Sequence, residues 1–463
     1  MEITVTFANY LIPMKQIDII SGFSKMNKLE KLEYLSGLSD DPATVIQMLK
    51  SYWHQDFKTQ KLFDEFSENT ITNFYFPFSV APNFVINGKN YIIPMVIEES
   101  SVVAAAANSA KFWSDKGGFK ANVVNIEKTG QVHFIWKGDK HKLFDNFSEL
   151  NRQMMEATSA MTANMRQRGG GILKIELVDM SDKIEDYFQL KATFDTRDSM
   201  GANFINSCLE EFASVLKKFL QETPVFTGTE KDCQVIMAIL SNYTPECLVK
   251  VSVECEIEKF GTMADILDPH EFVWKFQKAV EISKVDVYRA TTHNKGIYNG
   301  IDSVALATGN DFRAIEAAGH AFAARNGHYS GLSEVEIKGD VFTYSLTVPI
   351  ALGTVGGLTS LHPLARFSLE LLGNPGAEEL MMIAASVGLA NNFSALRSLT
   401  TKGIQVGHMK MHLLNILNSF SSTEKEKRKA VEFFKTHKVS YKAVSDFLSS
   451  IRISDVKPVN LEA

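Results

Sequence analysis

The chain has 463 residues, 45% hydrophobic and 22% charged, with a net charge of -6. That length exceeds one compact core, so two or three domains are expected. The ordinary composition and mild negative charge give no reason to expect nucleic acid or an anionic membrane surface as partner. The four cysteines, Cys208, Cys233, Cys247 and Cys255, show no C-x-x-C and no ligand spacing, as suits buried thiols in a reducing compartment. The first residues, Met1 to Phe7, lack the basic and apolar regions of a signal peptide, and no run reaches about 18 apolar residues. A soluble cytoplasmic protein with no membrane contact is the expectation.

In chain order, residues 14–66 read mostly as helices, with apolar spacing over 28–35 and an early proline at Pro42. Two short β-rich runs flank Asn87-Gly88, a hairpin signal. Glu99-Ser100-Ser101 then precedes a run of valines and alanines, read as a capped, tightly packed helix start. Gly117-Gly118 reads as a hinge and residues 122–137 as strand. A polar helix over 145–167 ends at Gly169-Gly170-Gly171. Strands follow at 172–178 and 187–196. Asp198-Ser199 is expected to cap a helix whose apolar face is Phe204, Cys208, Phe212, Val215 and Phe219. From about 235 the chain is mixed, with a glycine-rich turn at Gly353–Leu358, helices from Pro363 and Ala377, and a charged helical tail over 409–452. Thr423 with Glu426 matches a capping box.

Thr291–Asp302 and Thr308–Asp311 are expected as short Gly/Asn-rich loops that carry a lysine and an aspartate. A cation and a carboxylate on loops suit the stabilisation of a carbonyl oxygen. For Asp311 two readings stand together: the N-cap of the next helix, and a carboxylate that positions Lys295. Glu99 is either an ordinary acid at a helix start or a proton donor partly desolvated by the alanine wall. His408, in Gly407-His408-Met409, is either a surface or capping histidine or an acid able to protonate a leaving thiolate. His412 lies four residues later, but no H-E-x-x-H or third ligand accompanies it, so no metal site is expected. Asp198–Asn203 opens a helix with an early glycine, which suits either close packing on a strand or a pyrophosphate at the helix N-terminus. There is no G-x-G-x-x-G after a first strand, so an ordinary Rossmann site is not supported.

Taken in order, Glu68-Asn69, Asn83–Gly88, Glu98–Ala106, Arg197–Asn203, Ala290–Ile297, Ala307–Asp311 and Gly403–Met409 resemble the 3-hydroxy-3-methylglutaryl-coenzyme A reductases, in their soluble bacterial class (class II). The resemblance runs from about Glu68 to Met409. It implies an α/β (α+β) fold: a large mixed domain, an inserted small nucleotide-binding domain that is not an ordinary Rossmann fold, and a helical C-terminal flap. The corresponding boundaries are 1–122 and 235–402 for the large domain, 123–234 for the insert and 403–463 for the flap.

The same resemblance implies catalytic roles for Glu99, Lys295, Asp311 and His408. Substrate positioning falls to Ser101, Arg289, Asn299 and Asn391, and cofactor binding to Asp198, Met200, Gly201, Asn203, Thr162 and Arg166. The implied reaction reduces the thioester to mevalonate and free coenzyme A with two NAD(P)H, at sites between the subunits of a homodimer or higher homo-oligomer. The chain departs from the family at Thr72, where glycine is usual, at Ser100, where proline is frequent, and at Asn391, where glutamine is common. Some NADH-using relatives carry an aspartate where Thr162 falls. Residues 157–168 contain no acid and include Arg166 and Arg168, which points to NADPH over NADH. Two other readings are the reverse, NAD-dependent oxidation of mevalonate and a non-catalytic coenzyme A thioester-binding protein.

Overall fold

A computed structural model describes residues 19–261, 267–401 and 413–454. The chain divides after Pro77 into two compact units. Among its described residues the first contains three short α-helices, α1 (Lys28–Ser36), α2 (Pro42–Ser51) and α3 (Phe57–Asp64). Each starts on a side chain that accepts backbone N–H bonds: Asn27, Asp41 and Asp56. Thr72 uses the hydroxyl that glycine would lack, donating to the Leu49 carbonyl in the last turn of α2 at 2.7 Å.

The second unit begins with the hairpin β1 (Phe78–Ile86) and β2 (Lys89–Val96). Asn87 and Gly88 both have positive φ, 49° and 80°, the requirement of the two-residue turn that their sequence predicts. Helix α4 (Ser100–Ser114) follows and packs on β1. The chain then crosses two sheets in one run: β3 (Lys120–Ile126) pairs with residues 247–252, whereas β4 (Lys128–Trp136) lies between residues 187–194 and 233–240. The single strand expected over 122–137 is therefore two, divided at Glu127.

The sheet containing β4 has the order β5-β6-β4-β7, with β5 Gly171–Asp179, β6 Tyr187–Asp195 and β7 Cys233–Leu240, all antiparallel. Residues 123–126 and 235–240 thus each pair on the opposite side of the expected domain edges. The polar helix expected over 145–167 is α6 (Phe147–Ala157) and α7 (Ser159–Gln167), preceded by α5 (Lys140–Asp145). The break falls at Thr158, whose hydroxyl donates to the Met154 carbonyl. Helix α8 (Ala202–Glu222) covers the sheet through Ile205, Cys208, Leu209, Phe212, Leu216 and Phe219; Phe204 and Val215 only flank that stripe.

The other four-stranded sheet has the order β3-β8-β10-β9, with β8 Cys247–Glu256, β9 Ser333–Lys338 and β10 Val341–Pro349. Val249, Val251 and Val253 face the core; Lys250 and Glu254 alternate outward. Helices α9 (Pro269–Val285), α10 (Val287–Ala307), α11 (Phe312–Ala323), the one-turn α12 (Leu358–Leu361), α13 (Pro363–Leu371) and α14 (Ala377–Thr400) complete this part. Helices α10 and α14 approach so closely that a Cβ on Gly300 would lie 2.5 Å from the Val387 carbonyl oxygen. A third apolar core joins the helical residues 413–419 to α15 (Glu424–Phe433) and α16 (Tyr441–Ser454), through Leu417, Ala430, Val444 and Leu448. The Thr423–Glu426 capping box is present. Among the described residues no helix is long and apolar enough to cross a membrane.

Candidate active site

Lys295 lies in the middle of α10, not on a loop. Asn294 is buried and serves packing: its amide donates to the Ser330 carbonyl and accepts from the Leu332 N–H. Gly300 is helical because α14 leaves no room for a side chain there. The Gly/Asn-rich texture thus reflects close packing rather than a turn. On the opposite side of the helix Lys295 projects outward, 62% exposed, with its ammonium 3.7 Å from Glu99 Oε2. Asn299, one turn further, shares that face.

Glu99 is the N-cap residue of α4, yet its carboxylate does not cap the helix. One oxygen faces Lys295 and the other accepts a short hydrogen bond from Ser101 Oγ. The alanine-rich wall does not bury it, because its side chain remains 37% exposed. Two elements distant in sequence therefore present an acid, a hydroxyl and an ammonium together.

Asp311 caps α11 as the spacing predicts, accepting from the N–H groups of Arg313 and Ala314 at 3.1 and 3.3 Å. Its ion-pair partner is the Arg313 guanidinium at 3.1 Å, and no ion pair within 4.0 Å joins it to Lys295 in the single chain. His408, with His412, lies outside the described residues. Arg289 occupies the first turn of α10, half-buried, and burial pushes its guanidinium down from the usual arginine range. Asn391, expected at the substrate, is instead buried between α14 and α10, donating to the Val387 carbonyl at 3.3 Å.

A buried network braces α10 and has no counterpart among the residues singled out in the sequence. Asn392 donates to the His293 carbonyl at 2.9 Å and accepts from the Tyr344 hydroxyl. His293 Nε2 lies 2.6 Å from Ser333 Oγ, and the Tyr344 hydroxyl lies 3.0 Å from the same oxygen. Burial, with Arg289 and Lys284 nearby, pushes the His293 imidazole down to about 3, so it is neutral at pH 7. The only sequence signal is a pair of asparagines within an apolar helix.

The expected cofactor residues are rearranged. Asp198 does not cap α8; its Oδ1 accepts from Ala377 N at 2.8 Å and so caps α14. The residue before α8 is Gly201, with φ 84° and no capping side chain. The leading N–H groups of α8 consequently have no side-chain cap, which suits a pyrophosphate at this end of the helix, while the Thr196 side chain fills the space that a Cβ on Gly201 would take. Met200 N abuts Gly353, where a Cβ would lie only 2.6 Å away, and Asn203 is exposed on the first turn of α8. Arg197 bridges Asp195 and the Gly169 carbonyl, beside the triple glycine. Arg166 folds back onto Ser159, and Thr162 is buried with its hydroxyl donating to the Thr158 carbonyl, so Thr162 offers a cofactor no surface. Burial pushes the thiols of Cys208, Cys247 and Cys255 up to about 11 and that of Cys233 up to about 12. Among the described residues no group of three or more metal-ligating side chains is gathered.

Comparison with known proteins matches a family described as hydroxymethylglutaryl-coenzyme A reductase over residues 30–413. The 3-hydroxy-3-methylglutaryl-coenzyme A reductase of Archaeoglobus fulgidus is 34% identical over 418 residues, which are 89% of this chain and 90% of that one. A probable enzyme of the same name from Borreliella burgdorferi is 31% identical over 430 residues, covering 89% and 94%. Among solved structures, the class II enzyme of Streptococcus pneumoniae bound to NADPH in open conformations matches with a TM-score of 0.67 and 34% identity, over 82% of this chain and 100% of that one.

Proposed function

This chain belongs to the hydroxymethylglutaryl-coenzyme A reductase family, and we propose that Glu99, Lys295, Asp311 and His408 carry its reaction. That reaction reduces 3-hydroxy-3-methylglutaryl-coenzyme A to mevalonate and free coenzyme A in the mevalonate pathway, consuming two NAD(P)H. The observation that supports this site is the Lys295–Glu99–Ser101 group, a cation and an acid held 3.7 Å apart by α10 and the start of α4. Bound NADPH supplies the hydride. Lys295 holds the carbonyl oxygen as it becomes negative. Glu99 is placed to hand a proton to that oxygen in the aldehyde step, and Ser101 orients it. His408 protonates the departing thiolate. Arg289, at the N-terminal end of the same helix, suits the free carboxylate of the substrate by bidentate contact.

An ammonium that is 62% exposed is well screened by water, so it becomes a strong electrostatic catalyst only when covered. This supports a closing C-terminal segment and a site completed at a homodimer interface, where Asp311 joins Lys295. Val355, Leu358, Leu361, Leu364 and Phe367 form an exposed apolar run near the glycine-rich turn, suited to a second copy. We place the enzyme in the cytoplasm. NADPH is the preferred cofactor: α7 carries no acid to meet a ribose 2′-hydroxyl, and Arg166 and Arg168 end it. The test is thioester-dependent oxidation of NADPH and of NADH by the purified chain, with mass in solution by light scattering. A kcat/KM higher with NADH would overturn the preference, and an active monomer the shared site.

A further inference from the structure

Lys128 opens β4 where the chain passes from one sheet to the other, and it is only 5% exposed. Its ammonium donates to Thr196 Oγ1 at 2.5 Å and to the Ser199 carbonyl at 2.8 Å. The Thr196 hydroxyl donates in turn to the Ser199 carbonyl at 2.7 Å, and Ser199 returns both its N–H and its hydroxyl to the Thr196 carbonyl. Residues 196–199 are thus closed around one buried cation.

A buried ammonium is costly unless it is hydrogen-bonded and its charge offset. The nearby carboxylates of Asp195 and Asp198 oppose the effect of burial on Lys128, though each has another partner: Arg197 for Asp195 and Ala377 N for Asp198. What the arrangement fixes lies two residues on. At Gly201 a Cβ would come within 2.4 Å of Thr196 Cγ2, so the Thr196 side chain packs directly against the glycine at the entry to α8 and leaves no room for a side chain there. The same turn is bonded to the 353–355 segment, where the Thr354 N–H donates to the Asp198 carbonyl at 2.8 Å.

We propose that Lys128 is a positioning residue for the dinucleotide, holding residues 196–201 in the shape that presents the uncapped N-terminus of α8 to the cofactor pyrophosphate; this rests on α8 being the cofactor-binding helix. The ammonium also places a positive charge beside the turn that leads into the positive end of α8, which favours an anion there.

The experiment measures NADPH binding by calorimetry, and steady-state kinetics, for the full-length protein, Lys128→Met and Thr196→Val. Lys128→Met should raise the NADPH Kd and KM roughly ten- to a hundredfold, the range for losing a charge-assisted hydrogen bond. The KM for the thioester, and kcat at saturating NADPH, should stay within about threefold. Thr196→Val should shift NADPH binding in the same direction by less, and it decides the matter if Lys128→Met does not fold. NADPH binding within twofold of wild type in both variants overturns the assignment. So does an equal loss toward both substrates, the mark of general destabilisation. Wild-type protein that does not bind NADPH overturns the reading of α8 itself, and Lys128 with it.

Discussion

Replacing Lys295 with methionine separates catalysis from stability. The side chain keeps its length and loses its charge. In the free protein the ammonium is 3.7 Å from Glu99 Oε2, but the two side chains are 62% and 37% exposed. At that distance the Coulomb term is about 1 kcal/mol in bulk water and about 4 kcal/mol at a dielectric of 20. With this exposure the watery limit governs, and measured surface pairs contribute about 0.2–1 kcal/mol. Lys295→Met should therefore change unfolding stability by less than about 1 kcal/mol. In the covered complex proposed above, the same ammonium would face a developing oxyanion without competing water. Loss of one such donor costs about a hundred- to a thousandfold in kcat, or roughly 3–4 kcal/mol of barrier. The assay pairs urea unfolding with NADPH consumption on both the thioester and mevaldehyde. Turnover within about tenfold of wild type would refute the oxyanion role. A stability loss above about 2 kcal/mol would mean that Lys295 serves the fold, contrary to its exposure.

Substituting His408 with glutamine should depress the thioester reaction far more than mevaldehyde reduction, because only the first expels a thiolate; equal losses would refute its role as acid. Gly319→Ala would put a Cβ 1.3 Å from the buried Tyr298 hydroxyl, so unfolding should show a loss of about 1–3 kcal/mol, and an unchanged urea midpoint would contradict the packing. The His293 imidazole titrates at about 3 when folded against 6.5 as the ordinary value, so below pH 6.5 the unfolded chain binds a proton that the folded chain refuses. Stability from this group is full above pH 6.5 and is lost as pH falls toward 3. His293→Gln should flatten that slope, reducing the loss between pH 7 and pH 5 by about 2 kcal/mol, as read from urea midpoints at both pH values.

Local rules were legible wherever the chemistry was local. Asn87-Gly88 named its turn, Asp311 its cap and Thr423–Glu426 its capping box, since each bonds within a few residues. The helical setting of Lys295 is hidden in the sequence because Asn294 and Gly300 look like turn residues; they are tolerated in α10 for what α14 and the Ser330–Leu332 segment demand of them. Asp198 looked like the cap of the next helix but caps α14, which begins 179 residues later. Nothing in nearby spacing encodes that bond, nor the buried contacts of Asn391 and Asn392. The ordered motifs carried the family resemblance, whereas the Glu99–Lys295 approach became visible only when α4 and α10 were placed side by side.

The central claim, that this chain reduces a thioester through two hydride transfers, is tested most directly by the stoichiometry of a complete reaction. Purified protein with limiting 3-hydroxy-3-methylglutaryl-coenzyme A and excess NADPH should oxidise two NADPH for each thiol released and leave mevalonate as product. No thioester-dependent oxidation of NADPH or NADH, with the thioester still bound, would contradict the account and leave a coenzyme A thioester-binding protein in its place.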